Sequence, residues 1–290
     1  MKVGFVNIFG KPNAGKSTLL NALLGEKLAI ISPKVQTTRH RIKGILTDKD
    51  YQVVLSDTPG IIEPKYKLQH RMMQSVKNAL EDADVALLML DVNDDWEEND
   101  RLFRSLQLKV PSLVVINKLD TVSAERLEAA RAYFAAQPYC KGVLTISAAS
   151  GINKKRFLQP ILELLPEGEP FFDEDQLTDL HTRFFVGELV REKIFTLFED
   201  EIPYHSTVLV TSYKEQENGV IKITADIIVQ RETQKAILIG SGGSMIKKLG
   251  TLARADIEQF LGAKVYLELF VKVRPRWRDN DLFLREFGYH

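Results

Sequence analysis

Cysteine is almost absent. The 290 residues hold one, Cys140, so no disulfide can form within the chain; that fits a reducing compartment or indifference to redox state. No run approaches the ~18–20 consecutive apolar residues of a membrane-spanning helix. Net charge is absent too, since 39 Lys and Arg balance 39 Asp and Glu. An anionic partner must therefore be sought in a local patch. Internal repeats and low-complexity tracts are missing. His40 is one of five scattered histidines, lacks metal-ligand spacing and reads as a loop residue. What remains is an ordinary globular composition, 44% hydrophobic and 27% charged, over a length that suggests two domains with a core each.

Met1–Phe9 carries Lys2 ahead of an apolar run, but it is short, lacks a small-residue cleavage site and feeds directly into a glycine-rich loop. It reads as a first strand rather than a leader. From there to about Leu165, strand-like runs (Val3–Phe9, Tyr51–Ser56, Val85–Asp91, Leu113–Ile116, Val143–Ser147) alternate with helix-like segments (Thr18–Leu24, Leu68–Leu80, Trp96–Leu106, Ala124–Ala136). The alternation predicts an α/β domain over 1–165, a mostly parallel sheet with helices on both faces. Pro166-Glu167-Gly168-Glu169-Pro170 breaks the pattern, and 166–176 reads as a linker. Over 177–290 the order changes: a helix over Gln176–Phe198, strands Thr207–Tyr213 and Val220–Val229 with Asn218-Gly219 turning between them, helices Gln234–Ile239 and Ser244–Phe260, and a strand Lys264–Val273. This is a smaller α+β domain. Charge separates along it: Asp173–Glu201 is acidic and Arg231–Arg278 basic, so the last quarter is the place to seek an anionic partner.

Gly10-Lys11-Pro12-Asn13-Ala14-Gly15-Lys16-Ser17, followed by Thr18, fits G-x-x-x-x-G-K-S/T between a strand and a helix. The glycines let backbone N–H groups turn inward around phosphate, and the helix N-terminus adds positive potential. Lys16 reaches the β- and γ-phosphates and the Ser17 hydroxyl takes one position on Mg²⁺. Asp57-Thr58-Pro59-Gly60 ends the strand before it; Asp57 can hold Mg²⁺, commonly through a water, and the Gly60 N–H can approach the γ-phosphate. Asn117-Lys118-Leu119-Asp120 names the base. Guanine presents N1–H and N2–H₂ side by side, one carboxylate accepts both, and adenine has no such pair. At roughly 1.5–3 kcal/mol for each charge-assisted bond, Asp120 supplies on the order of 10²–10⁴ in preference. Lys118 lies along the base plane and Asn117 ties this loop to the phosphate loop. Ser147 and Ala148 let a backbone N–H approach guanine O6. In the polar stretch Ser32–Arg41, Thr37 and Thr38 each offer a hydroxyl that can close over Mg²⁺ and the γ-phosphate.

In the second half, Ile239-Gly240-Ser241-Gly242-Gly243-Ser244-Met245-Ile246 lies between two helices and lacks a Gly-Lys-Ser/Thr ending. With the helix–strand–strand–helix–helix–strand order it resembles the type II KH domain. A G-x-x-G turn there presents backbone N–H groups to a sugar-phosphate strand. Lys247, Lys248 and Arg274 can add phosphate contacts. Ser241 and Gly242 carry no charge where many KH loops have a lysine or arginine. Trp277, between Arg276 and Arg278, reads as packing a terminal segment rather than stacking a base.

Together these motifs resemble the Era family of bacterial GTPases, within the TrmE–Era–EngA group. The resemblance extends over nearly the whole chain, including Gln36–His40, Arg183-Phe184-Phe185-Val186, Arg191-Glu192-Lys193 and Val271-Lys272-Val273-Arg274 with Trp277-Arg278. It implies a GTPase that binds the 3′ end of 16S rRNA through the KH domain and acts in 16S rRNA processing and 30S subunit assembly, as a cytoplasmic monomer. It implies Thr38, with Thr37 second, as the residue on Mg²⁺, and catalytic parts for Lys16, Thr38 and Gly60. It implies K⁺ near Asn13. Ile61 stands where a Ras-like enzyme has a glutamine that orients water, so unaided turnover should be slow. A rival reading is a signalling GTPase peripheral to the inner membrane surface, with the KH-like domain binding protein or lipid. A tRNA-modifying relative would need a further catalytic domain, for which these residues leave no room.

Overall fold

The computed structural model describes residues 1–289. They group into two compact units, one formed by 1–63 with 72–179, the other by 64–71 with the chain from 180 onward.

The first unit contains β1 (Lys2–Phe9), α1 (Lys16–Leu24), β2 (Ile42–Asp48), β3 (Tyr51–Asp57), most of α2 (Lys67–Glu81), β4 (Val85–Asp91), α3 (Trp96–Ser105), β5 (Ser112–Asn117), α4 (Ala124–Ala135), β6 (Cys140–Thr145) and α5 (Lys154–Leu164). The strands form one sheet in the order β2-β3-β1-β4-β5-β6, with β2 alone antiparallel. Strands covered on both faces have no reason to alternate, and all of Val85–Leu90 is buried. Because β1, β3, β4, β5 and β6 run the same way, their C-terminal ends share one edge. Binding crevices open at that edge in such sheets, and Asp57, Asp91 and Asn117 are the last residues of their strands.

Two elements of this unit were not anticipated. β2 contains Gly44, which reads as an interruption. A Cβ at Gly44 would lie 2.4 Å from Leu24 Cδ1, so the glycine is where α1 packs directly on the strand. α5 contains Pro160, another apparent breaker. Its start is secured by Asn153, whose side chain accepts from Arg156 N at 3.0 Å.

The segment read as a linker is packed on the first unit. Val3 N donates to Pro166 O at 3.0 Å and Gly168 N to Met1 O at 3.1 Å. Phe171 stacks on Phe5 with centroids 5.1 Å apart. Buried Gln52 accepts from Phe171 N at 2.7 Å and Phe172 N at 3.0 Å, and donates to Phe172 O at 2.8 Å. Farther on, Ile45 N on edge strand β2 donates to Leu177 O at 2.8 Å, using an edge group that would otherwise face water. The helix expected from Gln176 accordingly starts at Thr182.

The second unit contains α6 (Thr182–Leu197), α7 (Ile202–His205), β7 (Thr207–Glu215), β8 (Ile221–Val229), α8 (Glu232–Ile239), α9 (Ser244–Leu261), β9 (Val265–Val273) and α10 (Asp281–Glu286). β7 runs antiparallel to β8 and β8 parallel to β9. One face of α6 (Val186, Leu189, Val190, Ile194) meets Ile223 and Ile227 of β8 and the stripe Leu249, Ala253, Ile257 of α9. The four-residue spacing of that stripe is the helical signature of a buried face. Arg191 is buried and forks onto Glu188 at 2.7 and 2.5 Å. Trp277 is fully buried, donates from Nε1 to His205 O at 3.0 Å and packs against Phe287 and Tyr289. It packs the terminal segment and offers no face to a base.

Candidate functional site

A cavity of about 380 Å³ opens at the C-terminal edge of the large sheet. Its walls are the 12–18 loop and helix start, Ile30–Pro33, Gln36–Thr38, Gly60, Asn117–Thr121 and Ser147–Ala149. These segments lie far apart in the chain, and each follows a strand or joins α1 to β2.

The phosphate loop is shaped by its neighbours. Gly15 has φ 101°, and a Cβ there would sit 2.2 Å from Asn117 Nδ2, so only glycine fits both backbone and space. Asn117 is buried. It donates from Nδ2 to Ala14 O at 2.9 Å and accepts from Ala148 N at 3.0 Å, joining the phosphate loop to the 147–148 segment. Lys16 opens α1 and is buried, with Nζ donating to Lys11 O at 2.7 Å and Gly10 O at 3.2 Å. Burial pushes its pKa down to about 8, against the opposing pull of the Asp57 charge. Pro12 lies against Gly60, and Ile61 N donates to Gly10 O at 3.1 Å, which fixes the 57–61 turn beside the loop.

Ser17, Thr38 and Asp57 converge. Ser17 Oγ donates to Asp57 Oδ2 at 2.6 Å, and Thr38 Oγ1 lies 2.8 Å from Ser17 Oγ and 3.2 Å from Asp57 Oδ2. Thr37 turns away, donating to Lys34 O at 2.6 Å. Of the two hydroxyls, Thr38 is the one brought to the cluster. Asp57 is buried, its Oδ1 has no hydrogen-bond partner, and burial raises its pKa despite Lys16 and the two hydroxyls. A buried carboxylate oxygen without a partner, beside two hydroxyls, is an all-oxygen donor set that suits Mg²⁺. Asn13, at φ 63°, donates from Nδ2 to Pro33 O at 2.8 Å, tying the phosphate loop to the 32–41 stretch.

On the far side of the cavity, Lys118 adopts φ 64° and starts the 3₁₀ turn Leu119–Thr121, which carries exposed Asp120 into the cavity wall. Lys118 Nζ pairs with Asp91 at 2.6 Å, and Lys11 Nζ with Glu98 at 2.5 Å. Asp91 and Glu98 had no assigned part in the sequence reading. The available signal for Asp91 was its position, an acid ending a strand as Asp57 does. Among the described residues, no cluster of His, Cys, Asp and Glu could hold a metal ion by itself.

The second candidate surface belongs to the second unit. Ile239 ends α8 and Gly240–Gly243 form a turn with φ of 72°, 57° and 78° at Gly240, Gly242 and Gly243. Gly243 is the N-cap of α9 and provides no side-chain cap. The N–H of Ser244, first residue of α9, is met by Ser241 O within the turn, and Gly243 N–H by Gly240 O at 3.1 Å. Ser241 and Gly242 are exposed, as are Lys247, Lys248 and Arg274, while Ile239 and Ile246 pack on the core beneath.

The sequence profile of the 50S ribosome-binding GTPase family matches residues 5–118, and that of the KH domain residues 201–278. GTPase Era of Geobacter sp. strain M21 is 46% identical over 289 residues, which cover 99% of this chain and 97% of the relative. GTPase Era of Caldanaerobacter subterraneus subsp. tengcongensis is 44% identical over 291 residues, covering 99% and 98%. Among solved structures, a point variant of Aquifex aeolicus Era bound to GDP·AlF₄⁻ superposes with a TM-score of 0.95 at 42% identity, over 100% of this chain and 99% of that one. A structure of Era in complex with MgGDPNP and nucleotides 1506–1542 of 16S ribosomal RNA matches with the same TM-score, identity and coverage. Among the described residues, no helix is long and apolar enough to cross a membrane.

Proposed function

The chain belongs to the Era family of GTPases, and from that premise we propose a nucleotide switch that binds the 3′ end of 16S rRNA and acts in 16S rRNA processing and 30S subunit assembly, as a cytoplasmic monomer. The observation that carries the RNA half is the glycine turn Gly240–Gly243 leading into α9, with Ser241 and Gly242 exposed and Lys247 and Lys248 exposed on the first turns of that helix. Backbone amides and a helix N-terminus there suit the anionic backbone of a single strand.

In the nucleotide site, the amides of residues 13–17 surround the β-phosphate and Lys16 moves its charge from the loop carbonyls to the β- and γ-phosphates. Ser17, Thr38 and Asp57 would hold Mg²⁺, which would supply positive charge against the phosphates. Thr38 orders the 32–41 stretch while the γ-phosphate is present and releases it afterwards. The Gly60 N–H faces the γ-phosphate. Ile61 offers no group to orient the attacking water, so turnover is slow without an activator; an arginine finger or equivalent cation supplied from outside adds ~10³–10⁵ in comparable enzymes. Asn13 is the residue for K⁺.

Anisotropy with a labelled 16S 3′-end fragment, run beside flotation with anionic vesicles, tests this reading. Gly242→Asp is the informative variant. The φ of 57° and ψ of 22° suit an αL aspartate, and a Cβ there meets nothing within 4 Å. RNA affinity should fall at least tenfold while RNA-free GTP hydrolysis stays unchanged. Vesicle binding without RNA binding would replace this proposal with the membrane-surface reading.

A further inference from the structure

Lys118 and Asp120 are held by a network anchored one strand away. β4 and β5 run parallel with Asp91 opposite Asn117, so the end of β4 lies beside the start of the guanine-recognition loop. Asp91 Oδ2 accepts from Lys118 Nζ at 2.6 Å. Asp91 Oδ1 accepts twice from Asn93, from its backbone N and from Nδ2, both at 2.9 Å. Asn93 Nδ2 also donates to Thr121 Oγ1 at 2.7 Å, and Thr121 Oγ1 donates to Lys118 O at 2.7 Å. One carboxylate thereby grips the side chain of Lys118 and, through Asn93 and Thr121, the turn that carries Asp120. Burial alone would raise the Asp91 pKa; Lys118 and the Asn93 donors outweigh it and hold the carboxyl below its usual value, so it stays charged for this task.

The geometry has a consequence for the nucleotide. Lys118 lines the cavity and sits at φ 64°, a backbone conformation few side chains favour. With its amine pinned at Asp91, its aliphatic stem is fixed along the wall where the purine ring lies. Unpinned, the stem would gain rotamers and the 119–121 turn would lose its outer brace. Ordering a lysine costs up to ~2 kcal/mol of side-chain entropy, and that cost is met beforehand here.

We propose that Asp91 is the positioning residue of the guanine-recognition loop and sets how long the nucleotide stays bound. The proposal rests on the assignment of Lys118 and Asp120 to the base. Asp91 does not touch the base itself. It acts equally on every purine nucleotide, whereas Asp120 reads the 2-amino group.

The test measures dissociation of fluorescent GDP and IDP analogues from the full chain by displacement with excess unlabelled nucleotide. Asp91→Asn retains an oxygen for Asn93 and removes the charge pair with Lys118. GDP and IDP should both leave about tenfold faster, with the GDP/IDP ratio retained and kcat at saturating GTP unchanged. Asn93→Ala, at an exposed loop position, should shift both rates two- to threefold the same way. Asp91→Glu should restore most of the residence time. On a Lys118→Met background, Asp91→Asn should add less than twofold, because its effect runs through that lysine. A wild-type-like rate for Asp91→Asn, a full tenfold effect on the Lys118→Met background, or loss of GDP over IDP preference would each overturn the proposal. If the wild-type chain itself failed to prefer GDP over IDP, the base assignment would fall instead.

Discussion

Asn117→Ala probes the joint that makes three separate loops into one site. The side chain is buried and makes two hydrogen bonds to backbone, to Ala14 O at 2.9 Å and from Ala148 N at 3.0 Å. Truncation leaves both backbone groups without partners. An unsatisfied buried group costs about 1–3 kcal/mol, so the pair sets a range of about 2–6 kcal/mol, and water entering the space of the lost amide brings the effect toward about 2–3. For a unit of this size, about 2–4 °C of melting temperature follows each kcal/mol, which gives a drop of about 4–12 °C. Asn117→Asp is nearly the same shape but sets a carboxylate oxygen against the Ala14 carbonyl in place of the donor; it should lose more. Thermal unfolding without nucleotide measures the stability term, and displacement of fluorescent GDP measures the site. GDP should leave at least tenfold faster from both variants. If Asn117→Ala melted within 1 °C of wild type and kept GDP as long, the two bonds would be incidental to the site and this reasoning would be wrong.

Lys16 gives a pH signature. Its pKa in the folded protein is near 8, below the ordinary lysine value, while phosphate contact favours the charged form. GDP affinity should therefore fall between pH 7.5 and 9, by up to tenfold per pH unit above the folded pKa, and the nucleotide-free protein should lose a burial penalty and gain stability as pH rises above 8. A flat affinity over pH 7.5–9 would contradict this. Asp120→Asn should shift preference from guanine to xanthine nucleotides, because xanthine carries a C2 carbonyl where guanine has an amine; competition between GTP and XTP reads it, and unchanged GTP preference would remove Asp120 from that part. Potassium should accelerate hydrolysis over sodium and Asn13→Ala should abolish the difference, since the Asn13 Nδ2 bond to Pro33 O holds that side chain between the phosphate loop and the 32–41 stretch. Equal rates in the two salts would end the K⁺ reading.

Much of the site was legible because its parts are local. A phosphate loop is contiguous backbone, so the spacing of Gly10, Gly15, Lys16 and Ser17 already specifies the curl. The 57–60 and 117–120 motifs end apolar strands, and parallel strands must bring those ends to one edge. The Gly240–Gly243 turn was legible for the same reason, two helical patterns meeting at glycines. The choice between Thr37 and Thr38 was not local, because only the position of Ser17 and Asp57 separates two adjacent hydroxyls.

Other features needed the fold. Gly44 and Pro160 look like breakers in sequence, and their elements persist because α1 needs a side chain absent at Gly44 and because tertiary packing holds α5, which buries Phe157, Leu158 and Ile161. The 166–176 segment has the composition of a linker, yet Gln52, more than a hundred residues earlier, meets the backbone of Phe171 and Phe172 within it. Asp91 reads as the end of one strand and Lys118 as part of a loop after another; their 2.6 Å contact exists because the sheet sets β4 beside β5 in register. Chemistry carried by neighbouring residues was therefore determined by sequence, as its geometry is set by a few φ and ψ angles. Contacts between residues distant in the chain were decided by strand order and register, which follow from how the whole core packs.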